Sequence, residues 1–179
     1  MEAKGRAFKA SLEYLECKYD KSKIRSFFKS HPEFECIQKY QDLNWYSLEF
    51  YIRFSEKLDR YFGFGDAALL FKIGEYASRT AFESSHKLFR DLSMESAISN
   101  AQAVFLSYYS AAKTEIKYLN DNKVCVHIKN IPLSPYLKKM IYGWMQEAVK
   151  SIKSRDAFVS EQESRNSLCF TLEWNKIAG

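Results

Sequence analysis

Three side chains in the C-terminal third of the sequence are the best candidates for metal chemistry. Cys125 and His127 lie two positions apart, and Cys169 follows much later. Thiolate and imidazole are zinc ligands, and the three would meet if the strands that carry them were neighbours. No CxxC pair or other local ligand spacing accompanies them, so unligated thiols are the interpretation that we favour. The sequence predicts no metal site, while leaving open whether these three residues bind one.

Other motifs that resemble catalytic sites are incomplete. Ser84, Ser85 and His86 are consecutive, but no GxSxG turn surrounds the serines. The GFGDA segment at 63–67 lacks the Lys-Ser/Thr of a phosphate loop and a preceding strand. It is better explained as a helix end followed by a helix N-cap. We therefore expect no catalytic residues and a protein that is not an enzyme.

Aromatic side chains are the remaining candidates for ligand binding. The 179 residues include 14 Phe, 12 Tyr and 3 Trp. Such residues can line a cavity for an apolar ligand with one polar end, or they can simply fill the core. A lone histidine in an apolar helix is usually a hydrogen-bonded core or rim residue. The residues that we expect at a ligand site are Phe54, Tyr76, His86, Phe105, Tyr109 and Trp144.

Helical periodicity dominates the first 112 residues. It predicts about five helices, which start near Arg6, Lys21, Trp45, Asp66 and Ser93. Proline after His31 ends the second helix, and Gly63 ends the third. Gly74 lies inside the fourth helix, which predicts that another backbone approaches closely there.

The pattern then changes to the alternation of β-strands. TEIKYL, a turn at 120–122 and KVCVHIK predict one hairpin, and AFVSEQE, a polar turn and LCFTLEW predict a second. Ser134-Pro135 begins the helix between them. We predict a single α+β domain over 1–179. Its helical layer, residues 1–112, packs on a four-stranded antiparallel sheet formed by the ββαββ part, residues 113–175.

The positive charge is concentrated in one segment. The net charge is +5, and residues 113–155 contain nine basic and three acidic side chains. Such a surface can bind nucleic acid, anionic lipid or an acidic partner, but a solvated lysine face is the interpretation that we favour. Scattered cysteines and the absence of a signal core or membrane span predict a cytoplasmic protein.

Three sequence segments together resemble those of a known superfamily. They are GRAFKASLEYLECKY, LDRYFGFGDAALLFKIGEYASRTAF, and IYGWMQEAVKSI followed by SLCFTLEW. The superfamily unites the haem nitric-oxide-binding sensor domains, the 4-vinyl reductase-like domains and the TRAPP vesicle-tethering subunits. The sequence is most similar to an uncharacterised bacterial branch of it.

The resemblance implies a sensor or adaptor that holds a small hydrophobic molecule between helices and sheet. It would signal through a protein partner or a second copy of the chain. Two alternatives stay open: a ligand-free structural interaction module, and nucleic-acid binding through segment 113–155.

Two departures from the haem-binding branch disfavour haem as a ligand of this chain. The haem-binding branch supplies an axial histidine from the helix before the sheet, and residues 93–110 contain none. The branch also holds the haem carboxylates with a Tyr-x-Ser-x-Arg signature, where this chain has VHIKNIPLSPY without the arginine. Tyr108 or Tyr109 could replace the histidine as axial donor. We expect no cofactor.

Overall fold

The computed structural model describes residues 1–84, 93–152, 157–162, 164 and 166–175. Its helices are α1 (Gly5–Lys18), α2 (Lys21–Ser30), a 3-10 helix (Pro32–Lys39), α3 (Leu48–Phe62), α4 (Ala68–Glu83), α5 (Met94–Ser99), α6 (Ala101–Leu106) and α7 (Pro135–Ser151). Its strands are β1 (Glu2–Lys4), β2 (Trp45–Ser47), β3 (Lys113–Asn120), β4 (Lys123–Lys129), β5 (Ala157–Gln162) and β6 (Leu168–Trp174).

Two helices begin at the capping serines that the sequence predicts. The hydroxyl oxygens of Ser93 and Ser134 accept hydrogen bonds from backbone N–H groups of the first turns of α5 and α7. Asp66 accepts from the N–H of Ala68 at 3.0 Å, beside the start of α4. These bonds satisfy donors that have no partner within the helix, so the predicted starts of α5 and α7 are confirmed. The N-cap of α4 is Ala67, one residue after the predicted Asp66.

Two predicted helix boundaries are wrong. Trp45 lies in strand β2, which pairs antiparallel with β1, and the helix begins only after Ser47. The ammonium of Lys4 lies 3.9 Å from the centroid of the Trp45 ring, across this two-stranded sheet. The helix that begins after Ser93 is interrupted at Asn100 and ends at Leu106, so Tyr108 lies beyond it. Trp45 and the Tyr108–Tyr109 segment both pair with the distant strand β1, and local periodicity carries no information about that pairing.

The two C-terminal hairpins form one antiparallel sheet in the order β3-β4-β6-β5, as predicted. They meet along β4 and β6, where Val126 pairs with Phe170 and His127 pairs with Cys169. Alternation along each strand sends Val126 and Phe170 into the core, and sends His127 and Cys169 to the opposite face. The α+β fold class that the sequence predicts is confirmed.

Helix α7 covers the inner face of the sheet, and α4 packs on α7. The Tyr142 hydroxyl donates to the carbonyl of Val159 at 3.2 Å, which fixes α7 against β5. Where α4 and α7 cross, a Cβ atom on Gly74 would lie 2.1 Å from the carbonyl oxygen of Met140. A Cβ on Gly143 would lie 2.0 Å from that of Phe71. The two helices therefore touch backbone to backbone, as Gly74 predicts.

The N-terminal helices enclose an aromatic cluster. Phe8, Phe27, Phe34 and Phe54 are buried, and the ring centroids of Phe8 and Phe54 are 6.3 Å apart. Burial of each such side chain stabilises the fold by about 1.5–3 kcal/mol. Among the described residues, no helix is both long and apolar enough to cross a membrane.

Candidate functional site: a cavity between the helical layer and α7

A cavity of about 530 Å³ lies between α1, α4, α6 and α7. Small-molecule sites in proteins usually measure about 300–1,000 Å³. Its walls are mainly apolar: Ala7 and Ala77 stand on two sides, and Phe105 and Trp144 on a third. The cavity is therefore suited to a ligand whose surface is largely hydrophobic.

Basic side chains stand on the α1 wall of the cavity. Arg6 is half-buried, and its Nε is buried without a hydrogen-bond partner in the part of the chain that the structure describes. Its guanidinium carbon lies 5.7 Å from the centroid of the Tyr108 ring. Lys9, by contrast, forms an ion pair with Asp42. A buried guanidinium N–H without an acceptor is costly, so Arg6 is placed to bind an anionic group of a ligand.

Tyr108 and Tyr109 reach the cavity from the segment that follows α6. Strand β1 holds this segment in place: the N–H of Lys4 donates to the carbonyl of Tyr108 at 2.9 Å, and Ala3 forms an isolated bridge with Tyr109. Tyr109 is only 7% exposed. Its hydroxyl has no hydrogen-bond partner among the residues with described positions, although the ring belongs to the cavity wall. It is thus available to a polar atom of a ligand.

The surroundings of Tyr109 keep its phenol neutral at ordinary pH. Burial, and then the nearby hydroxyls of Tyr51 and Tyr108, raise its pKa well above 10. Burial also raises the pKa of Tyr108, although Arg6 partly offsets the effect. Without a bound cation these hydroxyls act as hydrogen-bonding groups, and a metal ion beside Tyr109 would favour its phenolate.

A buried hydrogen-bonded group forms the floor of the cavity. The Tyr51 hydroxyl lies 3.1 Å from the carbonyl oxygen of Ala7, to which it donates, and 2.8 Å from the Sδ of Met140. Ser11 lies beside it, with its hydroxyl 3.4 Å away. Tyr51 therefore links α1, α3 and α7, and positions the Met140 thioether at the cavity wall.

Three of the six predicted ligand residues line this cavity: Phe105, Tyr109 and Trp144. Phe54 lies in the aromatic cluster of the N-terminal helices, because its face of α3 points toward α1 and α2. Tyr76 is on the face of α4 that meets α1, where its hydroxyl lies 3.9 Å from the Sγ of Cys17. His86 lies outside the described residues.

The sequence analysis did not predict the three cavity residues that carry nitrogen, oxygen or sulfur atoms able to bind a ligand. Arg6, Tyr51 and Met140 come from three separate helices, and none belongs to a local motif. The apolar spacing of α3 and α7 indicates that Tyr51 and Met140 face inward, but not that they meet. Nothing in the sequence marks Arg6 as a cavity residue, because basic residues at a helix start are common on protein surfaces.

Five of the seven basic residues that the structure describes in segment 113–155 form ion pairs. Lys129 pairs with Glu115, and Lys123 with Glu173 at 2.8 Å. Lys139 pairs with Glu161 at 2.7 Å. These contacts favour the solvated lysine face over a nucleic-acid surface.

Comparisons with known proteins identify the fold. No family model matches the sequence, and no curated protein matches it. Solved structures of H-NOX proteins are similar over nearly the whole chain. The Fe(II) unliganded H-NOX protein from K. algicida has a TM-score of 0.73 and 14% identity, and covers 98% of each chain. The H-NOX protein from Shewanella woodyi in the Fe(II)CO state has a TM-score of 0.72 and 15% identity, with 98% of this chain and 96% of that chain covered. The S. oneidensis H-NOX protein in the Fe(II)NO state has a TM-score of 0.72 and 12% identity, with 97% and 99% covered.

This chain therefore has the H-NOX fold. The part of the sequence resemblance that concerns haem nitric-oxide-binding domains is confirmed at the level of the fold. The 4-vinyl reductase-like and TRAPP parts find no support in these structures.

The expectation that haem is disfavoured, and that there is no cofactor, is contradicted by these comparisons. The similar H-NOX structures are in Fe(II) unliganded, CO-bound or NO-bound states, and another with a TM-score of 0.73 concerns haem distortion. The expectation gave the missing axial histidine in residues 93–110 more weight than the alternative donors Tyr108 and Tyr109. Phenolate oxygen and thioether sulfur also ligate haem iron, and Tyr109 and Met140 bring both to the cavity wall.

Proposed function

We propose that this chain is a non-catalytic sensor domain whose cavity holds a largely apolar ligand with an anionic edge, and that haem is that ligand. The proposal rests on one observation above all. The cavity wall brings together the Nε of Arg6, which is buried without a hydrogen-bond partner in the described structure, and the buried phenol of Tyr109.

The residues of the cavity fit haem by their chemistry. Apolar walls suit the porphyrin faces, and Arg6 suits a propionate. Tyr109 and Met140 supply oxygen and sulfur donors of the kinds that ligate haem iron. Bound haem would supply an iron centre able to bind a diatomic gas. The H-NOX fold supports this assignment, because similar structures contain Fe(II) bound to CO or NO.

A signal from the cavity would leave through α7. This helix lines the cavity with Met140 and Trp144, and also contacts the sheet through Tyr142. A ligand that shifts α7 therefore changes the relation between the helical layer and the sheet. We propose that a protein partner, or a second copy of the chain, detects this change.

The test compares two probes that differ only in iron. Purified protein is titrated with haemin and with protoporphyrin IX, following absorbance and tryptophan fluorescence. The wild-type chain is expected to bind both saturably at one per chain. Arg6→Gln is expected to weaken both about tenfold or more, because a charge-assisted hydrogen bond contributes about 1.5–3 kcal/mol.

Tyr109→Phe distinguishes ligation of the haem iron from burial of the porphyrin as the source of binding. It keeps the ring but removes the oxygen, so haemin binding should weaken and its Soret band should shift, while protoporphyrin binding is unchanged. Tyr76→Phe is the matched control outside the cavity and should behave as the wild type. Failure of both probes to saturate would overturn the proposal, and so would equal binding by wild type and Arg6→Gln.

A further inference from the structure

Three metal-ligating side chains meet on the outer face of the sheet, away from the cavity. The sulfur atoms of Cys125 and Cys169 lie 2.8 Å apart, and both thiols are free. The Nε2 of His127 lies 3.4 Å from the first sulfur and 3.8 Å from the second. The pairing of β4 with β6 creates this cluster, because His127 lies directly opposite Cys169 and Cys125 precedes it by two residues on the same face.

A fourth side chain fixes the orientation of the imidazole. The Nδ1 of His127 lies 3.0 Å from the hydroxyl oxygen of Ser167, which is in turn 2.8 Å from that of Ser164. If Nδ1–H donates to Ser167, the Nε2 lone pair points at the two sulfurs. A hydrogen bond from the distal ring nitrogen is the usual partner of a metal-bound histidine, and it sets the tautomer that ligates.

The spacing of the donors suits a tetrahedral zinc ion. With Zn–S near 2.3 Å and Zn–N near 2.05 Å, ideal geometry places sulfur and nitrogen about 3.6 Å apart and the two sulfurs about 3.8 Å apart. The two observed sulfur–nitrogen distances, 3.4 and 3.8 Å, bracket the first value. Only the sulfur–sulfur distance must open, by about 1 Å, which a small rotation of one cysteine side chain achieves.

We propose that Cys125, His127 and Cys169 bind one Zn²⁺ ion, with Ser167 as the positioning residue. Binding converts two thiols to thiolates and releases two protons to solvent. Two thiolates and one imidazole leave the fourth position for a water molecule.

Both cysteine side chains of the cluster are buried, and their sulfur atoms are in contact. Two buried thiolates in contact repel each other, and a divalent cation removes the repulsion. The ion would also join the first hairpin to the second, because its ligands come from one strand of each. Zinc affinity should therefore appear as added thermal stability, and it should rise with pH.

The experiment measures metal content and stability of the whole chain. Protein produced with zinc present, and washed free of loose metal, is analysed by mass spectrometry for all transition metals. About one zinc per chain is expected. Removal by a strong chelator should lower the melting temperature, and added zinc should restore it.

Variants assign the metal to the cluster. His127→Gln and Cys169→Ser are expected to lose the zinc, and Ser167→Ala should bind it about tenfold more weakly because a second-layer hydrogen bond is missing. The matched control is Cys17→Ser combined with Cys36→Ser, which removes the two exposed cysteines and should keep the full content.

Cobalt loading of the unmodified chain covers the case in which a variant fails to fold. Thiolate-to-cobalt charge transfer and intense tetrahedral bands are expected. A chain that takes up neither metal contradicts the proposal, as does zinc retained in full by His127→Gln. A Cys125–Cys169 disulfide in the freshly purified chain, without zinc, would also overturn it.

Discussion

The crossing of α4 and α7 gives the most direct test of how this fold is held together. We consider Gly143→Ala, which adds one methyl group to α7 at a position that does not line the cavity. The new Cβ would lie 2.0 Å from the carbonyl oxygen of Phe71 and 2.8 Å from its carbonyl carbon. Both atoms are helical backbone, so no side-chain rotation can relieve the collision.

The magnitude follows from the distance. Non-bonded heavy atoms rarely approach within about 3 Å, so the helices must separate by about 1 Å. Separation breaks the close packing along the whole contact, and overpacking of this kind costs about 1–3 kcal/mol, occasionally more. Alanine recovers about 1 kcal/mol of helix propensity. Because the collision involves two helical backbones, we take the upper end of the overpacking cost, about 3 kcal/mol, and expect a net loss of about 2 kcal/mol in the free energy of unfolding.

Urea denaturation measures this loss. With a slope of about 1–3 kcal/mol per molar, the urea midpoint should fall by about 0.7–2 M. Gln146→Ala, on the same helix and half-buried, adds no atoms and should change the free energy of unfolding by less than about 0.5 kcal/mol. An unchanged or raised midpoint for Gly143→Ala would refute the backbone contact between α4 and α7.

Two substitutions and two measurements on the unmodified chain test buried polar groups. Tyr51→Phe should lower the free energy of unfolding by about 1 kcal/mol in urea denaturation, because a buried hydroxyl that donates to backbone is lost; an unaltered midpoint would argue against that bond. Asp59→Ala should lower the free energy of unfolding by about 2 kcal/mol in the same measurement. The Asp59 carboxylate is fully buried and accepts a hydrogen bond from the N–H of Ala67, just before α4, at 2.8 Å. An unchanged free energy of unfolding would contradict this capping role. In metal-free protein the raised pKa of Cys169, about 12, keeps its thiol protonated at pH 8. Peptide mapping should therefore show much slower alkylation of Cys169 than of the exposed Cys17. Equal alkylation rates at the two cysteines would contradict this prediction. Because the folded-state pKa is raised, stability of the metal-free chain should be complete below the ordinary thiol pKa of about 8.5 and fall as pH rises toward 12; a midpoint that rises over this range would reverse the sign.

The sequence by itself determined the local elements and the way the C-terminal part is built. Strand alternation and turn residues are local properties, so both hairpins and their inward faces follow from residues a few positions apart. Serine caps and Pro135 likewise mark helix starts, because the bonds that satisfy a first turn come from neighbouring residues. Gly74 even indicated a close helix contact, although not which helix makes it.

The tertiary structure alone decided the sites. Trp45 is a strand residue because β1, more than forty residues earlier, pairs with it. The cavity exists because Arg6, Tyr109 and Met140 arrive from distant segments, and no spacing within a segment encodes that meeting. The Cys125, His127 and Cys169 side chains meet because β4 pairs with β6 in a register that places them on one face. Pairing between strands and contact between helices are long-range properties, set by which surfaces bury together, and only the folded chain reveals them.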